Sequence, residues 1–177
     1  MKLGLKGNEV KIVPYTEAWH HEFERVKKDI LEQTGLAENR IEHIGSTAIK
    51  QLCAKPIIDI VVGIDDLTEL DTSIIQGLAA IGFLRLRVER PGEIVFAKFT
   101  DDTYQEKTHF IHLVDYEKEL WQNLLFFRDY LIEHEEARQN YMDLKEDYVK
   151  LHDTGINEYT NHKEAFVKEI FNKRIHQ

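Results

Sequence analysis

Between Arg40 and Ile64 the chain reads RIEHIGSTAIKQLCAKPIIDIVVGI, the stretch whose residue types are best suited to chemistry. Gly45, Ser46 and Thr47 follow a short apolar run, and a second Ile/Val-rich run then carries one carboxylate, Asp59. A Gly-Ser turn lets backbone N–H groups come close to a phosphate, because no bulky side chain stands in the way. Ser46 and Thr47 can add hydroxyls, or Ser46 can merely cap a short helix over residues 47–52. The two roles are compatible, since a helix N-terminus is itself an anion site. A carboxylate within an apolar run is costly to bury unless a cation, a metal or a donor compensates it. Phosphate cradle plus metal-binding carboxylate is the minimum for phosphoryl or nucleotidyl transfer. Here there is one carboxylate where that chemistry ordinarily uses two.

The elements that must position these residues follow from periodicity. Trp19, Phe23, Val26 and Ile30 recur at spacings of three and four, which predicts an amphipathic helix entered near Pro14 and Thr16 and ended by Gly35. Residues 40–44 and 57–64 read as strands, the second too short and too β-branched for a helix. Residues 67–80 read as a helix stopped by Gly82, followed by strands over 83–88, 93–99 and 108–114, with Pro91-Gly92 as a turn. From Glu117 onward the pattern is helical, with Trp121, Leu124, Leu125, Arg128 and Ile132 along one side, then helices over 135–152 and 157–175. The aromatic residues Trp19, Phe23, Trp121, Phe126, Phe127, Tyr130, Phe166 and Phe171 are assigned to core packing. Strands first and helices last predict an α+β (mixed α/β) architecture, a sheet flanked by helices with a C-terminal helical subdomain. The expected division is a core over residues 1–116 and a helical part over 117–177 packed on it.

Composition narrows the function classes. At 177 residues and 42% apolar the chain suits one such unit. A formal charge of −9 argues against a nucleic-acid polymer as partner, while leaving room for a small nucleotide at a local basic pocket. No stretch approaches the roughly 18 consecutive apolar residues of a membrane span, and the N-terminus lacks a signal-peptide core. The single cysteine, Cys53, fits a reducing compartment, so the expected location is the cytoplasm.

Residues 40–60 resemble the GrpB family, whose N-terminal part is similar to the nucleotidyltransferase (polymerase-β-like) fold. The resemblance continues through Thr108-His109 and His112, through residues 125–131 (LFFRDYL), through Tyr141 and Lys145, and through Tyr159-Thr160 and residues 163–167. It implies a nucleotidyltransferase-type scaffold, and similar domains occur fused to dephospho-CoA kinase. In the wider nucleotidyltransferase pattern a Gly-Ser or Gly-Gly turn precedes a strand bearing two acidic residues two apart, which share a face and can hold one metal. Gly45, Ser46 and Asp59 match that pattern, whereas Val61 fills the second acidic position. The strand expected to supply a third carboxylate offers His109 and His112 instead. Glu42 and Glu93 are the acidic residues that could stand in.

Ligand chemistry shapes the metal expectation. Magnesium favours oxygen, whereas imidazole suits zinc or other transition metals. His109 and His112 face opposite ways on a strand, so only one of them can join Asp59, and His112 is preferred. Asp59, His112 and His43 are therefore the candidate ligands of a divalent metal (Mg or Mn, with Zn allowed). Asp59, His112 and Glu42 are the candidate catalytic groups, His112 or Glu42 as base. The alternative is that these histidines are partly buried and simply hydrogen-bonded, one of them to Asp59. Phosphate binding is assigned to Gly45, Ser46, Thr47 and Lys55, which Pro56 holds in extended backbone. Arg128 is a further candidate, with an internal ion pair as its other reading. Tyr159 and Lys163 lie four apart on one helix face, turned either to a nucleotide or to solvent.

The expected activity is transfer of a nucleoside monophosphate from an NTP to a small hydroxyl acceptor. The alternatives are a non-catalytic nucleotide-binding module and a partner or folding-assistance module. A nucleotide or small phosphorylated molecule is the expected ligand, and a homodimer or association with another enzyme is compatible with the chain.

Overall fold

In the computed structural model, which describes residues 1–88 and 90–176, the apolar periodicities resolve into a six-stranded sheet and five α-helices. The strands are β1 (Leu5–Lys6), β2 (Ile41–Ile44), β3 (Ile58–Ile64), β4 (Phe83–Arg85), β5 (Glu93–Phe99) and β6 (Glu106–Asp115). The helices are α1 (Ala18–Thr34), α2 (Thr72–Ala80), α3 (Glu119–Glu133), α4 (Glu135–Leu151) and α5 (Ile156–Ile175). The sheet runs β2-β3-β6-β5-β4, with β1 paired to the start of β6. Its centre is the parallel pair β3 and β6, and the other pairs are antiparallel. The mixed α and β architecture agrees with the sequence reading.

Helix α1 buries Trp19, Phe23, Val26 and Ile30, and Gly35 closes it in the left-handed region at φ 69°. The helix expected over 67–80 is broken by its own aspartates. The Asp66 carboxylate accepts from the Thr68 N–H and the Asp71 carboxylate from the Ser73 N–H, giving a 3₁₀ turn over Leu67–Glu69 and a separate start for α2. The strand expected over 83–88 ends at Arg85, with one further bond from the Leu86 N–H to the Val95 carbonyl. The short strand β1 has no periodic signal in the sequence.

Alternation gives the sheet two faces. One carries Ile58, Ile60, Val62, Phe96, Ile111 and Leu113 and packs under α1 and α2. The other carries Ile44, Val61 and Val114, covered by Trp121 of α3. Asp59 and His112 lie on this second face, next to that apolar patch. Helices α3, α4 and α5 share a further cluster of Phe127, Leu131, Tyr141 and Ile170. Ile49 and Leu52, from the segment after Gly45, plug into it. That plug ties the Gly-Ser turn to the C-terminal helices and brings α4 and α5 to the edge of the Asp59 face.

Candidate functional site

The turn after β2 is shaped by Gly45 at φ 69°, a conformation that L side chains rarely adopt. A Cβ at this position would stand 2.7 Å from Asp59 Oδ2, so the missing side chain is what lets the carboxylate lie against the turn. Ser46 opens a 3₁₀ turn over Ser46–Ala48 rather than a longer helix. From α4, Lys145 is 1% exposed and donates to Ser46 Oγ at 3.2 Å and to the Cys53 carbonyl.

Gly45, Ser46, Lys55, Asp59, Tyr141 and Lys163 line a cavity of about 120 Å³. Tyr159 forms another wall, and two ammonium groups face its ring. Lys163 Nζ lies 4.2 Å from the ring centroid and Lys55 Nζ 5.4 Å. Lys145 Nζ lies 4.8 Å from the ring of Tyr141. Burial disfavours the charged form of each lysine, and repulsion from neighbouring lysines adds to it at Lys145 and Lys163. Lys163 is brought down to about 7, by burial first and then by Lys55 and Lys145, with Asp59 opposing. Lys145 is brought down to about 8 by burial, and Lys55 is lowered for the same reason. No hydrogen bond or ion pair to the ammonium group of Lys55 or Lys163 is formed among the described residues. Their charge is therefore directed at the cavity, in a chain of net charge −9.

A second cavity of about 340 Å³ opens on the other side of Asp59 and shares Lys55, Ile57, Asp59 and Phe110 with the first. Its walls combine apolar side chains such as Leu86, Val88 and Val95 with polar ones such as Asn157 and Thr160.

Where the two cavities meet, three side chains run diagonally across the sheet. His112 of β6 places Nε2 3.7 Å from Asp59 Oδ1 of β3 and Nδ1 2.6 Å from Glu93 Oε2 of β5. Burial works against an imidazolium here, but the two carboxylates outweigh it and raise His112 to about 9. In turn, burial would raise both carboxyls, and His112 holds them below their usual range, helped by Lys55 and Lys163 at Asp59 and by Arg90 at Glu93. His112 is thus a cation at neutral pH, which makes it a poor general base.

Three expectations need correction. His43 cannot join Asp59 and His112 on a metal, because it pairs with Ile60 and points to the opposite face. There its ring stacks on Phe23 at 4.8 Å and its Nε2 meets Thr47 Oγ1 at 3.0 Å. Burial lowers its pKa to about 3, so it stays neutral. Glu42 lies on the Asp59 face, but Arg128 Nη1 holds its carboxylate at 2.7 Å, which removes it as a free base. Arg128 also donates to the His43 carbonyl at 2.9 Å and to Asp129 at 2.7 Å, and it lines neither cavity. Its ion-pair reading holds.

Gly45, Ser46, Thr47, Lys55, Asp59, Tyr159 and Lys163 do converge on the small cavity. The Thr47 hydroxyl, however, is engaged with His43. Sequence reasoning missed Lys145 and Tyr141 as site residues. Their spacing of four, which sets them on one face of the helix, was the available signal.

The donor set does not fit the divalent metal of a nucleotidyltransferase. Val61, in the second acidic position, is fully buried beneath Trp121, and Glu42 belongs to Arg128. His112 Nδ1 is committed to Glu93, which leaves Asp59 and one ring nitrogen as donors. Among the described residues, no group of three or more His, Cys, Asp or Glu side chains could hold a metal ion. A catalytic zinc keeps about three protein ligands, and magnesium asks for oxygens.

Known proteins frame this geometry. The glutamate-rich protein GrpB of Alkalihalophilus pseudofirmus is 37% identical over 172 residues, covering 97% of this chain and 99% of that protein. The crystal structure of the conserved protein GrpB from Enterococcus faecalis superposes with a TM-score of 0.77 at 28% identity, covering 92% of this chain and 96% of that one. The Cid1 poly(U) polymerase, solved with Mg 3'-dATP bound, shares the fold at a TM-score of 0.51 and 14% identity, over 74% of this chain and 41% of that one. This is the nucleotidyltransferase-like fold that Gly45, Ser46 and Asp59 announced. The family model described as GrpB protein matches residues 9–173, and with that match the chain belongs to the GrpB family.

Proposed function

We propose that this chain binds a phosphorylated small molecule of the nucleotide class, with phosphate in the lysine-lined cavity and the organic part in the larger one. The observation that carries this reading is the convergence of Lys55 and Lys163 on a small cavity floored by the Gly45-Ser46 turn, with Lys145 behind it on the Ser46 hydroxyl. Three ammonium groups gathered around one carboxylate, Asp59, which also faces His112, leave a surplus of positive charge that a polyanion relieves. The adjoining cavity of about 340 Å³ falls at the lower end of small-ligand pockets. Phe110, Val95 and Leu86 offer apolar walls there, and Asn157 and Thr160 offer polar contacts.

Transfer of a nucleoside monophosphate by two metal ions has less support, because the oxygens for it are missing and His112 sits between carboxylates. Binding therefore takes precedence over transfer in this reading. Thermal shift with each NTP, with ADP and with inorganic pyrophosphate tests it. A ligand at about 100 times its Kd adds about 2.7 kcal/mol. The expected result is a clear upward shift that Lys163→Ala and Lys55→Ala each diminish. No shift with any of these anions sinks the proposal.

A further inference from the structure

We infer that the phosphate site of this chain works without a divalent cation, lysine ammonium groups taking the place that a metal holds on this fold. The inference rests on the reading above, that the small cavity takes phosphate.

Each position from which a metal could draw oxygen is otherwise occupied. On β3, Val61 is sealed against Ile44, Val114 and Trp121, so no side-chain oxygen faces the site two residues after Asp59. On β2, the Glu42 carboxylate is held by Arg128 at 2.7 Å. On β6, an imidazole replaces a carboxylate, and both of its nitrogens face carboxylates, Glu93 at 2.6 Å and Asp59 at 3.7 Å. What remains for a hard cation is Asp59 alone, already beside one ring nitrogen.

Positive charge is supplied from elsewhere. Lys55 enters from the segment before β3, Lys163 from α5 and Lys145 from α4, the last hydrogen-bonded to the Ser46 hydroxyl at the cavity floor. A magnesium ion carried in with the phosphate would meet these ammonium groups as a like charge. It would also cancel part of the anion charge that they recognise. The free polyphosphate is thus the better ligand, and its magnesium complex the poorer one. A nucleotide that arrives as its magnesium salt would shed the ion on binding.

Calorimetric titration of inorganic pyrophosphate into the full chain tests this, once with EDTA and once with excess magnesium. The expected result is binding in EDTA that magnesium weakens by about threefold or more, as the free anion is depleted. Lys163→Met should lower the affinity about tenfold in EDTA. Manganese titrated into the free protein, followed by the EPR signal of the unbound ion, should show no tight site. Binding that appears only with magnesium or manganese overturns the inference while leaving the phosphate reading in place. A tight manganese site, or unchanged affinity in Lys163→Met, also overturns it. No binding in either buffer instead removes the phosphate reading and this inference together.

Discussion

The cationic His112 between two carboxylates makes a measurable demand on stability. Its pKa of about 9 lies well above the ordinary 6.5, which corresponds to about 3 kcal/mol of preference for the imidazolium. Because the folded-state pKa lies above the unfolded one, that stabilisation is present below about pH 6.5. It is lost as pH rises through about 9.

Glu93→Gln keeps the size of the side chain and an oxygen able to accept from His112 Nδ1, but removes one of the two charges. An opposite charge at this range is worth about 1–3 pKa units, so His112 should fall by at least about one unit. The variant should be less stable than wild type by about 1.4 kcal/mol or more near pH 6, and the gap should shrink toward pH 9.5. Lys145 and Lys163 titrate in the same range, but they do so in both proteins and cancel in the difference. Nitrogen-15 NMR of the histidine rings gives the pKa, and urea denaturation at the two pH values gives the gap. A wild-type His112 titrating near 6.5, or a gap of equal size at both pH values, would refute the reasoning.

Three further outcomes follow from the same geometry. Pyrophosphate affinity should fall as pH rises through about 7 and 8, because Lys163 and Lys145 lose their protons there, and binding near pH 8 should take up protons. Calorimetry in buffers of different ionisation heat measures that uptake, and a pH-independent affinity would contradict it. Gly45→Ala should destabilise the fold by about 1–3 kcal/mol, since it sets a side chain at φ 69° and 2.7 Å from Asp59 Oδ2. It should also weaken anion binding, with denaturant midpoints and calorimetry as the checks.

On the acid side, burial holds His43 at about 3 and His109 at about 4, below the ordinary 6.5. The unfolded chain binds more protons below that value, so stability should drop from about pH 6.5 downward. Each histidine contributes about 2 kcal/mol by pH 5. Thermal melts across that range, compared with His43→Phe, show whether the loss comes from these rings.

Much of this molecule is decided by local chemistry that a sequence displays. The spacing of Trp19, Phe23, Val26 and Ile30 dictates α1, and β-branched residues dictate β3. Gly45 and Asp59 declare their turn and their strand, because a glycine with positive φ and a carboxylate in an apolar run each need a special reason. Alternation alone separates His109 from His112, and the sheet keeps them on opposite faces. The sequence reading takes 67–80 as one helix and misses its break, although Asp66 and Asp71 are capping residues placed before Thr68 and Ser73.

What the tertiary structure decided is which groups neutralise which. Glu42 and Arg128 lie far apart in sequence yet form one ion pair, because α3 crosses β2 on the Asp59 face. Glu93 reaches His112 because β5 pairs beside β6 in that register. Lys145 and Lys163 lie on helices most of whose other charges face solvent. The plug of Ile49 and Leu52 into the helical cluster is what turns their face toward Ser46. Spacing along a chain can fix the face a side chain takes within its own element, since that depends on backbone geometry alone. The partner of a charge depends on how elements dock, so only the folded structure could show Asp59 facing a histidine and two lysines where a metal was expected.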